Sequence, residues 1–283
     1  MLWAKDLLRE ALDNDVSFRL LCSLAAGTEA RNGRENGRIA ASIPRCRRDL
    51  APGMARHGAQ QERHARLLGE LPARRGLDPV AVPPEADHAL LLERRGVCPA
   101  HGKLDRGEPL NERDVVAHLA HAYVAETRAA AWLAPVAERL PDDPEAVRLA
   151  REIALAKRDH LAYCREGLLC FVRAGHGAAV RWLLRESTLA EIRVHRDVGL
   201  ALSAHLGHLL GWRMARSVVL EARAHAVYAR EWLVDRHRTT GLVPFERPAP
   251  PVPSVRPAGT GAPGAPSASD SPPGPAATAS PGA

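Results

Sequence analysis

The chain has 283 residues, 46% of them hydrophobic but only 4% aromatic, and a formal net charge of +6. That length suits one or two domains, and the apolar share is enough for a sizeable core that Leu, Ala and Val must largely fill. Apart from the Pro/Gly-rich end, no stretch of about 18 or more residues lacks charge, which excludes a hydrophobic membrane span.

Lys5, Asp6, Arg9, Glu10 and Asp13 crowd the first residues, which lack the apolar run of a signal peptide. A cytoplasmic protein with no membrane contact is expected. The five cysteines, Cys22, Cys46, Cys98, Cys164 and Cys170, are odd in number and widely spaced, so they suggest no disulfide framework. Cys98-Pro-Ala-His101 offers two ligand types without a second pair and reads as a plain loop rather than a zinc site. Arg256 and Asp270 cancel beyond residue 247, so the body carries the positive excess. Such a surface attracts acidic partners. Basic residues do not interleave with aromatics, however, and only Lys5, Lys103 and Lys157 are lysines. We read a compositional preference for Arg and expect no nucleic-acid partner.

In chain order, helical periodicity places a first helix over residues 16–41 and a second over 50–71, with Pro52 in its first turn. Residues 72–110 hold Pro72, Pro79, Pro83, Pro84, Pro99 and Gly102 around a short apolar run at 89–92, and read as a long crossover. A third helix starts near Asn111 and ends before Pro141. A fourth is capped by Asp143, opens at Pro144 and ends near Gly175. Further helices cover 178–210 and 213–238, the former bent or broken by Gly199, Ser203, Gly207 or Gly211. No segment alternates like a strand. Residues 248–283 are Pro, Ala, Gly and Ser with almost no large apolar side chain, and are expected to be disordered. The expected fold is all-α: a four-helix unit over 1–175, additional helices over 176–247, and the tail.

Each of the first four helices carries one face at three/four spacing that includes polar groups. These faces hold Cys22 and Glu29 on the first helix and Met54, His57, Gln61 and His64 on the second. The third contributes Leu119 and Glu126, and the fourth Ile153, Lys157, His160 and Cys164. The spacings repeat: Glu29 precedes Gln61-x-x-His64 by 32 residues, and Glu126 precedes Lys157-x-x-His160 by 31. With "QQERHARLLGEL" and "KRDHLAYC", this resembles the ferritin-like di-metal carboxylate family over about residues 16–175. That family places one Glu on each of two helices and Glu-x-x-His on each of the other two. The resemblance implies a ferritin-like four-helix bundle with a long crossover between helices two and three. It also implies iron or manganese as the metal, with Glu29 and His64 serving one ion and Glu126 and His160 the other.

The chain departs from the pattern at Gln61 and Lys157, where the family has glutamates that bridge the metals. Glu62 and Asp159 are poor substitutes, about 100° and 200° around their helices from the vacant positions. Two divalent ions would meet two carboxylates and one ammonium, leaving three uncompensated positive charges in a core. Two alternatives stay open: one ion held by some of Glu29, His64, Glu126 and His160, or a metal-free core in which Lys157 pairs with Glu126 or Glu29. His57 reads either as an outer partner of a ligand or as a polar core contact. Glu191 with His195, and Glu221 with His225, read as surface pairs one turn apart. Tyr123 and Tyr163 read as packed aromatics.

The corresponding functions are a metal-dependent oxidoreductase or oxygenase of unknown substrate, and a non-catalytic helical module that has lost its metal centre. A homodimer is expected; a storage cage is not, because the added helices and tail would crowd one. Removing residues 250–283 is expected to leave the melting temperature nearly unchanged, since that composition buries little apolar surface. A fall of several degrees in a thermal melt would show that the tail docks on the body.

Overall fold

A computed structural model describes residues 9–96, 99–137, 144–237 and 242 of the chain. Among these residues there are eight α-helices and no strand: α1 (Asp15–Ser42), α2 (Ala51–Arg74), α3 (His88–Arg94), α4 (Pro99–Asp105), α5 (Glu112–Ala137), α6 (Pro144–Phe171), α7 (Gly177–Leu209) and α8 (Met214–Leu233). No described helix is long and apolar enough to cross a membrane. The described residues belong to one compact unit; residues 243–283, which include the expected disordered tail, lie outside the described residues.

The long helices start and stop for local reasons. Asn14 caps α1, its side-chain oxygen accepting from the backbone N–H of Val16 and Ser17 at 3.0 and 3.2 Å. Pro144 opens α6 as the sequence predicts; Asp143, its expected cap, lies outside the described residues. The second helix runs past its expected end at Leu71, takes Pro72 as a buried residue of its last turn, and stops at Arg74. The turn beyond is closed by the Leu77 N–H on the Pro72 carbonyl at 3.0 Å. Helix α7 is likewise unbroken at Gly199, Ser203 and Gly207, contrary to expectation. It stops at Leu209, where Gly211 takes φ +60° and the Trp212 N–H returns to the Gly207 carbonyl.

Helix α1 runs antiparallel to α2. Phe18 and Cys22 share an apolar cluster with Leu71 at one end, and Ile39 joins Met54 at the other. Between these ends the two backbones nearly touch. A Cβ on Gly33 would lie 2.7 Å from the Glu62 side chain and 2.9 Å from the Gly58 carbonyl. Helices α5 and α6 pair in the same sense, with Leu119 over Gly167 and Leu133 in the cluster of Ala146 and Ile153. Val180 and Leu184 carry α7 into the same core as α5 and α6. Helix α8 adds no buried residue and leaves Met214, Val218 and Leu233 exposed.

The segment between α2 and α5 is more structured than its prolines suggest. Asp87 caps α3 on the Leu90 N–H at 3.0 Å, and Leu92 packs on Ala190 and Val194 of α7. Arg31 holds Glu93 at 2.6 Å, and Arg95 pairs with Asp197. Pro99 and His101, expected in a loop, open α4, a position proline tolerates; Cys98 lies outside the described residues. Cys46, Cys164 and Cys170 form no disulfide.

The close approach of α1 and α2 is testable. Gly33→Ala is expected to lower stability by about 1–3 kcal/mol in urea unfolding, since both neighbours are fixed by helices. Gly37→Ala, one turn on, meets no atom within 4 Å and is expected to be neutral or slightly stabilising. An equal response at the two sites would show that the helices do not meet there.

Candidate metal centre

The four long helices of the paired layers send polar side chains to one interior point. Glu29 comes from α1; His57, Gln61 and His64 from α2; Glu126 from α5; Lys157 and His160 from α6, and all seven are buried. The faces read from the sequence therefore point inward together.

Lys157 stands at the middle. Its Nζ donates to Glu29 Oε1 at 2.7 Å and lies 3.0 Å from Glu126 Oε2. On either side a carboxylate faces a histidine at the same distance: His64 Nδ1 is 3.5 Å from Glu29 Oε2, and His160 Nδ1 is 3.5 Å from Glu126 Oε1. The repeated sequence spacing thus appears as two Glu/His half-sites about one ammonium.

The half-sites differ in what else reaches them. His57 Nε2 lies 3.0 Å from Glu126 Oε1, and its ring stacks on His160 with centroids 3.7 Å apart. The Gln61 amide donates to the same oxygen at 3.1 Å. Gln61 is itself oriented: its Oε1 accepts from Asn36 Nδ2 at 2.8 Å, and Asn36 Oδ1 accepts from His118 Nε2 at 2.8 Å. The sequence reading missed Asn36, although it lies seven residues after Glu29 on the same face, and His118, eight before Glu126. It also missed Gln60, whose Oε1 is 2.9 Å from His160 Nε2.

Burial and charge act in opposite directions here. Burial raises a carboxyl pKa, but the Lys157 ammonium, with His160 and His57 beside the carboxylate, holds Glu126 well below the usual carboxylate range. Burial likewise opposes the charged form of Glu29, and Lys157 and His64 overcome it, so that carboxyl is also lowered. Burial would deprotonate Lys157, yet the two carboxylates raise it above an ordinary lysine. The trio is therefore ionised. Burial lowers His160 to about 4 against the pull of Glu126, and His118 to about 3, so both are neutral at pH 7.

Two carboxylate-bridged ions do not fit these donors, because the ammonium of Lys157 fills the place between the carboxylates and both counter-charges are committed to it. Among the described residues, the group with metal-binding geometry is His57, Glu126 and His160, whose ligand atoms lie within 4.8 Å of one another. Glu29 and His64, the other expected ligands, form a pair without a third donor of that kind.

Tyr163 donates to the Leu50 carbonyl at 3.0 Å and Tyr123 is buried, in keeping with packed aromatics. Glu191 corrects the surface reading. It is 1% exposed, lies 3.0 Å from His88 Nε2, and faces His121 and Arg128 at 3.9 Å. Burial would raise its carboxyl, but His88, His121 and Arg128 bring it down to about 2. Sequence spacing to His195 could not reveal this, because the partners come from α3 and α5. Glu221 and His225 are exposed as expected. No family model, curated protein or solved structure matches the chain.

Lys157→Met is expected to cost about 3–5 kcal/mol at pH 7, because two buried carboxylates lose their counter-charge. The pH dependence is also expected to invert. In the natural protein the depressed carboxyls contribute stability above their unfolded pKa and lose it as pH falls through the folded values. In the variant, burial without the ammonium raises the folded values, so stability should increase as pH falls from 7 toward 5. Urea unfolding at both pH values decides this; parallel profiles for the two proteins would refute the ion-pair assignment.

Proposed function

We propose that this chain is a ferritin-like four-helix-bundle protein whose metal centre takes one ion instead of two, and that it belongs to the class of metal-dependent oxidoreductases or oxygenases. The observation that carries the reading is the position of Lys157, 2.7 Å from Glu29 and 3.0 Å from Glu126, where the family pattern calls for a bridging glutamate. The two matched Glu/His half-sites support the ancestry. Charge supports the single ion: with Glu29, Glu126 and Lys157 ionised the site carries one net negative charge, so one divalent ion leaves a single positive charge that a hydroxide can neutralise. When bound, such an ion supplies Lewis-acid or redox chemistry. The residues of the chain hold its ligands in place, exclude bulk water and fix the charge balance.

A second reading, a non-catalytic helical module descended from such enzymes, is favoured by one observation: Lys157 is already satisfied by two carboxylates without any ion.

Metal content separates these readings. Protein purified without a polyhistidine tag is expected to hold at most one ion per chain by elemental analysis and titration. The double substitution Gln61→Glu with Lys157→Glu restores four carboxylates and two histidines and is expected to raise uptake toward two. Two tightly held ions in the natural protein, or no gain in a folded double variant, would overturn the proposal.

A further inference from the structure

Building on the single-ion reading, we propose that the ion is a divalent transition metal held on one side of Lys157 by His57, Glu126 and His160, with His57 and not His64 as the distinguishing ligand. His57 Nε2 and His160 Nδ1 lie 3.0 and 3.5 Å from Glu126 Oε1. Ligands bonded at about 2.0–2.2 Å to one ion stand roughly 3.0–3.5 Å apart at octahedral or tetrahedral angles. Two edges of the triangle already have the dimensions of a coordination shell, and all three ligand atoms lie within 4.8 Å of one another.

The protonation pattern points the same way. Gln60 Oε1 accepts a hydrogen bond from His160 Nε2, so the ring proton is on Nε2 and the Nδ1 lone pair faces the carboxylate. His160 Nδ1 has no hydrogen-bond partner. Two electron-rich atoms therefore face each other 3.5 Å apart in the interior, an arrangement that a cation between them would stabilise. A histidine that ligates a metal through one nitrogen commonly donates its other N–H to an oxygen, and Gln60 provides that oxygen. His57 becomes a ligand by moving its proton from Nε2 to Nδ1, which is also without a partner.

The other half-site lacks this set. Glu29 and His64 supply two donors only, and Lys157 holds Glu29 Oε1 at 2.7 Å, closer than the 3.0 and 3.2 Å at which it meets the two oxygens of Glu126. Two imidazoles and one carboxylate form a donor set of intermediate hardness that suits Fe2+, Mn2+, Co2+ or Zn2+ and leaves coordination positions open. Gln61, held by Asn36, keeps an N–H on Glu126 Oε1 and fixes the carboxylate plane toward the histidines.

The test uses the full-length protein, stripped of metal and titrated with Co2+ under visible absorption and calorimetry. One Co2+ per chain is expected. His57→Ala should weaken it by at least about a hundredfold, beyond the loss expected for an outer partner, and Gln60→Ala by about tenfold. His64→Ala should leave the affinity within about threefold of the natural value. Circular dichroism establishes that each variant is folded. X-ray absorption of the Co2+-loaded natural protein needs no variant, and should show two imidazoles. Retained affinity in folded His57→Ala, or an equal loss in His64→Ala, would overturn the site. So would an absorption spectrum with one imidazole, or no Co2+ binding at all. Uptake of two ions would instead overturn the single-ion reading on which this site rests.

Discussion

An ammonium in a helical core must be neutralised, and the interior of this protein is arranged around that requirement. Lys157 is buried among apolar neighbours of α6, including Ile153 and Cys164, and isolated charge at such depth costs several kcal/mol. Glu29 from α1 and Glu126 from α5 meet it, so one side chain ties together the two antiparallel helix pairs. Removing any member of the trio strands the others. The interaction therefore does more to fix how the pairs face each other than to add net stability, because desolvation offsets most of the Coulomb gain.

The remaining polar groups follow from that trio. Glu126 has more lone pairs than Lys157 can satisfy, and His57 and Gln61 serve the surplus. Gln61 donates to Glu126 while its own oxygen accepts from Asn36, which fixes the amide orientation, and Asn36 in turn accepts from the neutral His118. A directed chain of donors thus runs from α5 through α1 and α2 back to α5. Glu191 shows the same physics elsewhere: a fully buried carboxylate on α7 is held ionised by His88, His121 and Arg128, which pins α3 and α5 to that helix. Both clusters place a carboxylate where several cations or N–H groups converge from different helices.

Sequence periodicity revealed the helices and the inward faces because both are local properties: three/four spacing decides which side chains share a face, whatever packs against it. It also led from the buried position of Lys157 to a carboxylate partner, since a buried ammonium leaves few alternatives. It did not reveal what depends on depth or on distant partners. Glu191 and His195 sit at the spacing of a surface pair, and only the packing of α3 and α5 over Glu191 makes it a buried acid. Pro72 and Gly199 suggest helix breaks by propensity, yet α2 extends past the first and α7 through the second. Tertiary contacts outweighed an intrinsic cost of about 1 kcal/mol for Gly in a helix. His57 was ambiguous because spacing placed it one turn from Gln61 but could not say that its ring would stack on His160.

The asymmetry about Lys157 finally bears on access. A buried ion site needs a route to solvent, and the two half-sites differ in what shields them. On one side the Glu29 carboxylate itself reaches the surface, its side chain 11% exposed against 5% for Glu126, while His64 and His160 are equally buried at 2%. His160, in contrast, bonds outward to Gln60, a half-buried residue on the rim of α2 that faces α6. The side with the third donor thus meets the surface through Gln60 and the other through Glu29, so donor geometry rather than accessibility distinguishes the two sides of the ammonium.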